Sequence, residues 1–304
     1  MTLVSVVVAV RGNAWGLRPL MRGHTRQEFV GRLEVVVVDN HDQPTLSSSS
    51  FVVWPVQVQL VHEPRPGLSY ARNTGIRHAL HPIVLVADPG MEPDPDWVRT
   101  MVSTLEYGGA QLVSGRVELS TESGDQLPSA LAEVFVSASW PQVVNEAATP
   151  WDVAGCPLGM PAPDRREPPQ FDARRTGPDL AHRRCGAVEL AARLRAAGDL
   201  VHVTPQAVVR RELPPEDLTV MNVWARAWWR GALARRWRHV PAPEKLALPL
   251  GWWRTRLGRL ALVAVTAQRC AHWTARLRPG SRGRAVTPTV RRPAAVPGRS
   301  EERP

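Results

Sequence analysis

A carboxylate stands at the end of an apolar run early in the chain. The run Glu-Val-Val-Val-Val leads into Asp39, and such β-branched residues are typical of a strand that is buried on both faces. At the edge of a sheet, the Asp39 carboxylate would accept a hydrogen bond from a ligand hydroxyl or from the NH of a base. The alternative interpretation is a turn residue, because Asp is favoured in turns whatever the function of the site.

An arginine lies in a second segment, residues 63–75, which contains a Pro-Gly turn followed by a helical pattern. Arg72 falls on the first turns of that helix, and a guanidinium there could pair with the oxygens of a diphosphate. A surface arginine is the alternative. Ser69, Asn73 and Gly75 are equally explained as a helix cap and as residues that permit close packing.

A third polar segment, residues 87–97, reads Ala-Asp-Pro-Gly-Met-Glu-Pro-Asp-Pro-Asp-Trp and follows another apolar run. Its first acid, Asp88, therefore stands where a strand ends. Parallel strands end at a common edge, and open α/β sheets bind ligands there. We expect Asp39, Arg72 and Asp88 to lie along one ligand-binding rim.

The elements that must hold these residues alternate between strand and helix. Strands are predicted at residues 3–10, 33–38, 56–61 and 83–87, and helices at 17–28 and 69–80. The alternation predicts an α/β fold with a mostly parallel, doubly wound sheet and flanking helices. Further along, the patterns predict a helix at 96–107, a strand at 111–119, a loop-rich region at 120–169, a helix at 187–197 capped by Gly198, and a strand at 200–203.

The C-terminal part of the chain is strongly basic. The net charge is +10, yet residues 1–225 carry a balance of −5 and residues 226–304 a balance of +15. Helices are predicted at 217–238 and 252–276, and the tail 279–304, rich in Pro, Gly, Arg and Ser, is predicted to be disordered. In the first of these helices Trp224 and Trp228 fall on one side, and Arg226 and Arg230 roughly on the other.

A basic module of this kind could meet anionic phospholipid, nucleic acid or an acidic partner. Seven of the 12 Trp residues lie from Trp224 onward, which favours a membrane surface, since indole rings settle at the level of the lipid headgroups. Packing of these Trp side chains in a core is the alternative. No recognition motif accompanies the basic residues, which disfavours nucleic acid.

Length and cysteine usage limit the class of protein. A chain of 304 residues predicts one principal core with appendages. The apolar runs are too short to span a bilayer, and no secretion signal is recognised. Cys156, Cys185 and Cys270 lie far apart and match no zinc-ligand spacing, so a reducing compartment and a cytoplasmic location are expected, with the inner membrane face as the alternative.

The order of the motifs resembles a family 2 glycosyltransferase of the GT-A fold. The resemblance is carried by an opening Val-Ser-Val-Val strand, a strand that ends in Asp39, the run Pro-Gly-Leu-Ser-Tyr-Ala-Arg-Asn-Thr-Gly-Ile, and the acidic segment with Pro-Asp-Pro-Asp-Trp. It covers residues 3–119 well and continues more weakly to residue 209. It implies a nucleotide-sugar-binding half at 1–119 and an acceptor-side half at 120–216, ahead of the basic helices.

The resemblance also implies a bacterial transferase that moves a sugar from a nucleotide-diphosphate sugar to a glycan, lipid or small-molecule acceptor. Asp39 would lie near the nucleobase, Arg72 near the nucleotide, and Asp88 near the ribose or a metal. In the family, a divalent cation such as manganese or magnesium offsets charge on the leaving diphosphate, and a later acid deprotonates the acceptor.

Three positions depart from the family pattern. Gly90 stands where the family usually presents a metal-binding carboxylate, Ala187 stands near the usual catalytic base, and Arg211 replaces a histidine. One hypothesis is that Glu92 replaces the metal ligand and Glu189 the base. Another is that arginines, namely Arg183, Arg184 or Arg211, neutralise the diphosphate without metal. A third is a catalytically degenerate protein that binds a nucleotide, glycan or protein partner without turnover.

Overall fold

The computed structural model describes most of the chain. The described residues are 2–11, 16–51, 56–135, 145–146, 153, 157–162, 170–173, 186–236 and 255–274. The tail predicted to be disordered, at 279–304, lies outside the described residues, as do Arg183 and Arg184.

The first part of the sheet consists of parallel strands built from the apolar runs. The strands are β1 (Thr2–Val10), β2 (Gly31–Asp39), β3 (Gln57–His62) and β4 (Ile83–Ala87), in the spatial order β3-β2-β1-β4. Helices α1 (Leu17–Thr25) and α2 (Leu68–His78) connect them. The valines of β1 and β2 are almost all fully buried, as expected of β-branched residues covered on both faces of a sheet. The predicted alternation is thus confirmed.

Helix α2 lies unusually close to the sheet at one residue. A Cβ placed on Gly75 would lie 2.3 Å from Cγ1 of Val7 and 3.0 Å from Cγ2 of Val38. Only glycine leaves room for the β1 and β2 side chains at this point. This close approach brings the first turns of α2, which carry Arg72 and Asn73, to the sheet edge.

The second part of the sheet is mixed. It contains β5 (Met91–Pro93), β6 (Leu112–Thr121), β7 (Asn145–Glu146), β8 (Leu158–Pro161) and β9 (Val201–Leu213), and the order continues as β4-β8-β6-β9-β5. Strand β8 runs antiparallel to both β4 and β6, whereas β6 and β9 are parallel. The short strands β5 and β8 were not predicted, because three or four residues carry too little periodicity.

Strand β9 continues well past the residues at which the sequence predicted its end. Its pairing with β6 shifts register between Ser114 and Arg116, opposite the segment that contains Pro205. Such an irregularity accommodates a proline, which cannot donate to the ladder. The strand therefore runs on to Leu213 and carries Arg211 to a position beside β5.

The remaining helices are α3 (Trp97–Gly108), α4 (Ser129–Phe135), α5 (Gly186–Ala196), α6 (Val220–Arg236) and α7 (Arg256–Thr274), with a short 3₁₀ helix at Ser48–Phe51. Helix α5 ends as predicted, with Gly198 at φ +90° in the left-handed region. Helices α6 and α7 pack against each other and against α4.

On α6, Arg226 of the side predicted to be cationic contacts other parts of the protein. The rings of Trp224 and Trp228 do stack, with centroids 5.1 Å apart. The Arg226 guanidinium, however, lies 2.5 Å from Oδ1 of Asp217 and 4.9 Å from the centroid of the Phe135 ring. Burial lowers the pKa of this arginine. The ion pair and the ring contact outweigh exposure to water, so Arg226 joins α6 to the body of the protein.

Candidate functional site

The carboxyl ends of the parallel strands bring two acidic residues to the same edge. Asp39 is paired with Val10 of β1, and Ala87, which precedes Asp88, is paired with Val8 on the other side of β1. Two strand spacings separate β2 from β4, so the backbones at Asp39 and Asp88 lie about 10 Å apart. The edge is the predicted ligand edge of an open α/β sheet.

Arg72 and Asp88 are in direct contact. Nη2 of Arg72 donates to Oδ1 of Asp88 at 2.8 Å, and the guanidinium carbon lies 5.2 Å from the centroid of the Phe171 ring. The Arg72 side chain is only 3% exposed, whereas that of Asp88 is 25% exposed. A ligand at this edge therefore reaches Asp88 before Arg72, and the buried Arg72 holds the Asp88 carboxylate by its hydrogen bond. The sequence could not show this burial, because Phe171 is distant along the chain.

Asp39 is enclosed by the loop that follows it. Its Oδ2 accepts hydrogen bonds from the backbone NH groups of Thr45 at 2.6 Å and Leu46 at 2.8 Å, and its Oδ1 accepts from Nδ1 of His41 at 2.5 Å. Burial would raise the pKa of Asp39, but these hydrogen bonds outweigh it and lower the pKa to about 2. A ligand NH that bonds this carboxylate has to replace one of these donors.

Asn40 holds the loop that precedes α2, a function that was not predicted from the sequence. Its Nδ2 donates to the carbonyl oxygens of Glu63 at 2.7 Å and Arg65 at 2.8 Å, and its Oδ1 accepts from the NH of Gly67 at 3.1 Å. One side chain thus joins the end of β2 to the Pro-Gly turn. The only signal in the sequence is an amide directly after a strand-ending acid.

Glu63 is a second carboxylate that the sequence reading did not single out. Its Oε1 and Oε2 accept from Nε and Nη2 of Arg65 at 2.8 and 2.7 Å, and Oε2 accepts from Oγ1 of Thr74 at 2.5 Å. The hydrogen bonds from Arg65 are the main cause that lowers the pKa of Glu63 to about 2, against the effect of burial. Glu63 thereby ties β3 to α2.

The residues around Asp88 do not form the metal site that was predicted for Asp88 and Glu92. Gly90 has no side chain and takes φ +81°, and a Cβ placed on it would meet no atom within 4 Å. The Glu92 carboxylate is instead bound by Arg22 and Arg26 of α1, with Nε of Arg22 3.0 Å from Oε2. Within the described part of the chain, no three His, Cys, Asp or Glu side chains are grouped to hold a metal. The described residues therefore do not fit a manganese or magnesium ion here.

Glu189 is the acid that was predicted to replace the catalytic base. It lies in the first turn of α5 and is 3% exposed, and its Oε1 accepts from Nε of Arg193 at 3.1 Å. Its Oε2 is buried and has no hydrogen-bond partner among the described residues. Ala187, two residues earlier, is buried, and its side chain has no polar atom. Glu189 is thus an acid in the first turn of α5 with one carboxylate oxygen that is unpaired among the described residues.

Arg211, the third departure from the family pattern, is paired with Met91 of β5 and with Leu119 of β6 across the sheet. Its Nη2 lies 4.0 Å from Oδ2 of Asp217, a distance at which the attraction is weak. This places Arg211 beside β5 but leaves its predicted role toward a diphosphate as a prediction.

Among the described residues, no helix combines enough length with enough apolar character to cross a bilayer.

Curated relatives match part of the chain. Over 125 residues, 40% of this chain and 41% of the relative, it is 29% identical to Glycosyltransferase AglE of Haloferax volcanii. Over 115 residues, 38% of this chain and 23% of the relative, it is 30% identical to the Pre-mycofactocin glycosyltransferase of Mycobacterium tuberculosis. The matched part thus spans less than half of the length of either relative.

Solved structures share the fold. TarS 1–349 of S. aureus in complex with UDP superimposes with a TM-score of 0.52 at 12% identity, covering 91% of this chain and 92% of that one. Another structure of S. aureus TarS gives a TM-score of 0.50 at 14% identity, covering 90% of this chain and 55% of that one. At such low identity the likeness concerns the fold alone, and it confirms the GT-A architecture expected from the motifs.

A match to a family model agrees with the order of the motifs, with the fold, and with the contact between Arg72 and Asp88 at the sheet edge. The model of Glycosyl transferase family 2 matches residues 5–159, just over half of the chain. The chain therefore belongs to glycosyl transferase family 2.

Proposed function

We propose that the chain transfers a sugar from a nucleotide-diphosphate sugar to a hydroxyl group of a glycan, lipid or small-molecule acceptor. The observation that carries this proposal is the contact between Arg72 and Asp88 at the carboxyl edge of β4. The relatives named above are glycosyltransferases, and the solved structure of TarS holds UDP, which supports a nucleotide-sugar donor.

The donor is held through Asp88 in this proposal. A carboxylate that is partly exposed accepts hydrogen bonds from ribose hydroxyls, and the buried Arg72 pairs with it and fixes its orientation. Asp39 would accept from the nucleobase once a loop donor has been displaced. In this proposal, Arg72 holds the Asp88 carboxylate in place and does not itself contact the nucleotide.

The transfer step requires a base, and Glu189 is the residue we assign to it. Its Oε2 takes the proton of the acceptor hydroxyl, and the acceptor oxygen forms a bond to the anomeric carbon. The bond between that carbon and the diphosphate oxygen breaks, and the nucleoside diphosphate leaves with the electron pair. Such proton transfer by a positioned carboxylate contributes about 10²–10⁴-fold to a rate.

No step of this scheme passes through a divalent cation, because Gly90 and the arginine-bound Glu92 do not fit one. The affinity of the protein for a nucleoside diphosphate should therefore be the same with manganese and with a chelator. A gain in affinity of about tenfold or more on adding manganese would contradict this part of the proposal.

The proposal is tested by incubating the purified protein with a panel of uridine and guanosine diphosphate sugars and measuring release of the nucleoside diphosphate. We expect release above background with at least one donor, since water can serve as a slow acceptor. Nucleotide binding without release from any donor would favour the alternative, a binding protein without turnover. Absence of both binding and release would overturn the proposal.

The membrane is the proposed location of the acceptor side, at the cytoplasmic face. Apolar side chains are exposed at the start of α6, where Met221 is 72% and Val220 60% exposed, next to the stacked Trp224. The basic balance of residues 226–304 adds attraction to anionic headgroups.

Vesicle flotation tests this location. We expect the full chain to float with vesicles that contain phosphatidylglycerol and less with phosphatidylcholine alone. Met221→Glu should lower binding, whereas Tyr107→Glu, at an exposed aromatic of α3, should not. Equal binding of both variants would exclude the start of α6 as the contact.

A further inference from the structure

A short segment, Gln170 and Phe171, connects the donor side of the protein to α5. The side-chain amide of Asn73 bonds both backbone groups of Phe171: Nδ2 donates to the carbonyl oxygen at 2.8 Å, and Oδ1 accepts from the NH at 2.8 Å. The two residues are 98 positions apart, and both are buried. An amide that pairs with both groups of one residue fixes the position and the orientation of that residue.

The same segment is held from the other side by α5. Arg193 donates through Nη2 to the carbonyl oxygen of Gln170 and through Nε to Oε1 of Glu189 at 3.1 Å. One guanidinium therefore joins the segment to the carboxylate that we assign as the base. Because a guanidinium is planar and rigid, movement of Gln170 is transmitted to the Glu189 carboxylate.

The segment also touches the donor site directly. The ring of Phe171 lies against the guanidinium of Arg72, which in turn bonds Asp88. Contacts therefore run without a break from Asp88 to Glu189, through residues that are far apart in the sequence. The buried hydrogen bonds in this chain of contacts hold their members in one arrangement, since each unpaired buried group would cost free energy.

We infer that Asn73 is a positioning residue, which sets the Glu189 carboxylate for proton transfer by holding Phe171 and, through Gln170 and Arg193, the first turn of α5. The inference rests on the proposed role of Glu189. It assigns to Asn73 a role mainly in the rate of transfer, because its hydrogen bonds go to the backbone of Phe171, whereas the hydrogen bond from Arg72 to Asp88, through which the donor is held, does not involve Asn73.

The test compares Asn73→Ala with Gln27→Ala. Gln27 is a matched control, because its Nε2 also donates to two backbone oxygens. These belong to Gly23 of α1, at 3.0 Å, and to Asp94, which follows β5, at 2.6 Å. We expect Asn73→Ala to lower turnover about 10–100-fold, the loss that a displaced catalytic group produces. Affinity for uridine diphosphate should stay within about twofold, and Gln27→Ala should change neither quantity by more than about twofold.

A second comparison separates positioning from a general loss of stability. In the Glu189→Gln background the base is gone, so Asn73→Ala should lower the remaining turnover no further. Arg193→Gln, at a side chain that is 47% exposed and tolerant of change, should lower turnover in the same way as Asn73→Ala. Additive losses in the double variant, or full activity of Arg193→Gln, would overturn the inference.

Hydrogen exchange gives a readout that does not depend on activity. Asn73→Ala should speed exchange at Phe171 and in the first turn of α5, while Gln27→Ala leaves both unchanged. If the wild-type protein shows no turnover, the proposed function fails, and exchange alone decides the inference. Unchanged exchange in α5 would then overturn it.

Discussion

Two pairs of carboxylates differ in what surrounds them. Asp39 and Glu63, which end β2 and follow β3, are bound by residues of their own loops, and the pKa of each is lowered to about 2. Asp88 is paired with Arg72, and Glu189 with Arg193. We propose that the first pair stabilises the rim and that the second pair acts on a ligand.

An acid at the end of a strand is therefore not by itself a ligand-binding group. Local hydrogen bonds decide between the two roles, because a carboxylate whose oxygens already accept from backbone NH groups must give one up to bind. Replacement of the first pair should therefore affect the free energy of unfolding, and replacement of the second pair should affect turnover or binding.

The largest effect is expected from Glu189→Gln. Loss of the base should lower turnover about 10²–10³-fold, with nucleotide affinity unchanged within about twofold. Steady-state release of the nucleoside diphosphate measures the first quantity, and calorimetry measures the second. Glu106→Gln, at an exposed acid of α3, is the control. Wild-type turnover in Glu189→Gln would remove Glu189 from the mechanism.

The next effect is expected from Glu63→Gln. It weakens the hydrogen bonds that Arg65 and Thr74 donate to the buried Glu63 carboxylate, and loss of hydrogen bonds to a charged group costs about 1.5–3 kcal/mol, with the lower end expected because Arg65 is more than half exposed. Urea denaturation should show that loss in the free energy of unfolding. The surface acid Glu118, paired with Arg116 at 3.0 Å, serves as the control, where Glu118→Gln should cost less than about 1 kcal/mol. Equal losses of unfolding free energy in the two variants would contradict a stabilising role of Glu63 at the rim.

A pH dependence should follow from the same residue. The pKa of Glu63 is about 2 in the folded protein and 4.5 in its ordinary state, so the unfolded chain takes up the proton first. The stabilisation is complete above the ordinary value and is lost as pH falls toward the folded value. The difference in unfolding free energy between wild type and Glu63→Gln should therefore shrink from pH 5 to pH 2.5. A difference that is constant over that range would contradict the assigned pKa.

The smallest effect is expected from Glu92→Gln. Its partners Arg22 and Arg26 are more than half exposed, and such surface pairs contribute less than about 1 kcal/mol. Nucleotide affinity should not change, with or without manganese. A loss of affinity that appears only with manganese would restore Glu92 as a metal ligand.

The sequence predicted the parallel part of the fold because long apolar runs can form only buried strands. It also predicted α5 and its end at Gly198, where a regular apolar face meets a glycine. It could not predict β5 or β8, which are held by pairing with distant strands. Short elements of this kind depend on tertiary contacts more than on their own residues.

The site was predicted only in part, for a related reason. Strand ends placed Asp39 and Asp88 at one edge, and the motif placed Arg72 near them. The closing of the loop over Asp39, the burial of Arg72 by Phe171 and the pairing of Arg226 with Asp217 all depend on residues that meet only after folding. Residue type and spacing do not contain that information.

The most direct test of the account is calorimetric titration of uridine and guanosine diphosphates into the wild-type protein and Asp88→Asn. We expect saturable binding of at least one nucleotide to the wild type, with the same affinity in manganese and in chelator. Binding to Asp88→Asn should be at least about tenfold weaker, since a charge-assisted hydrogen bond to the ligand is lost. Binding of equal strength to both proteins would contradict it.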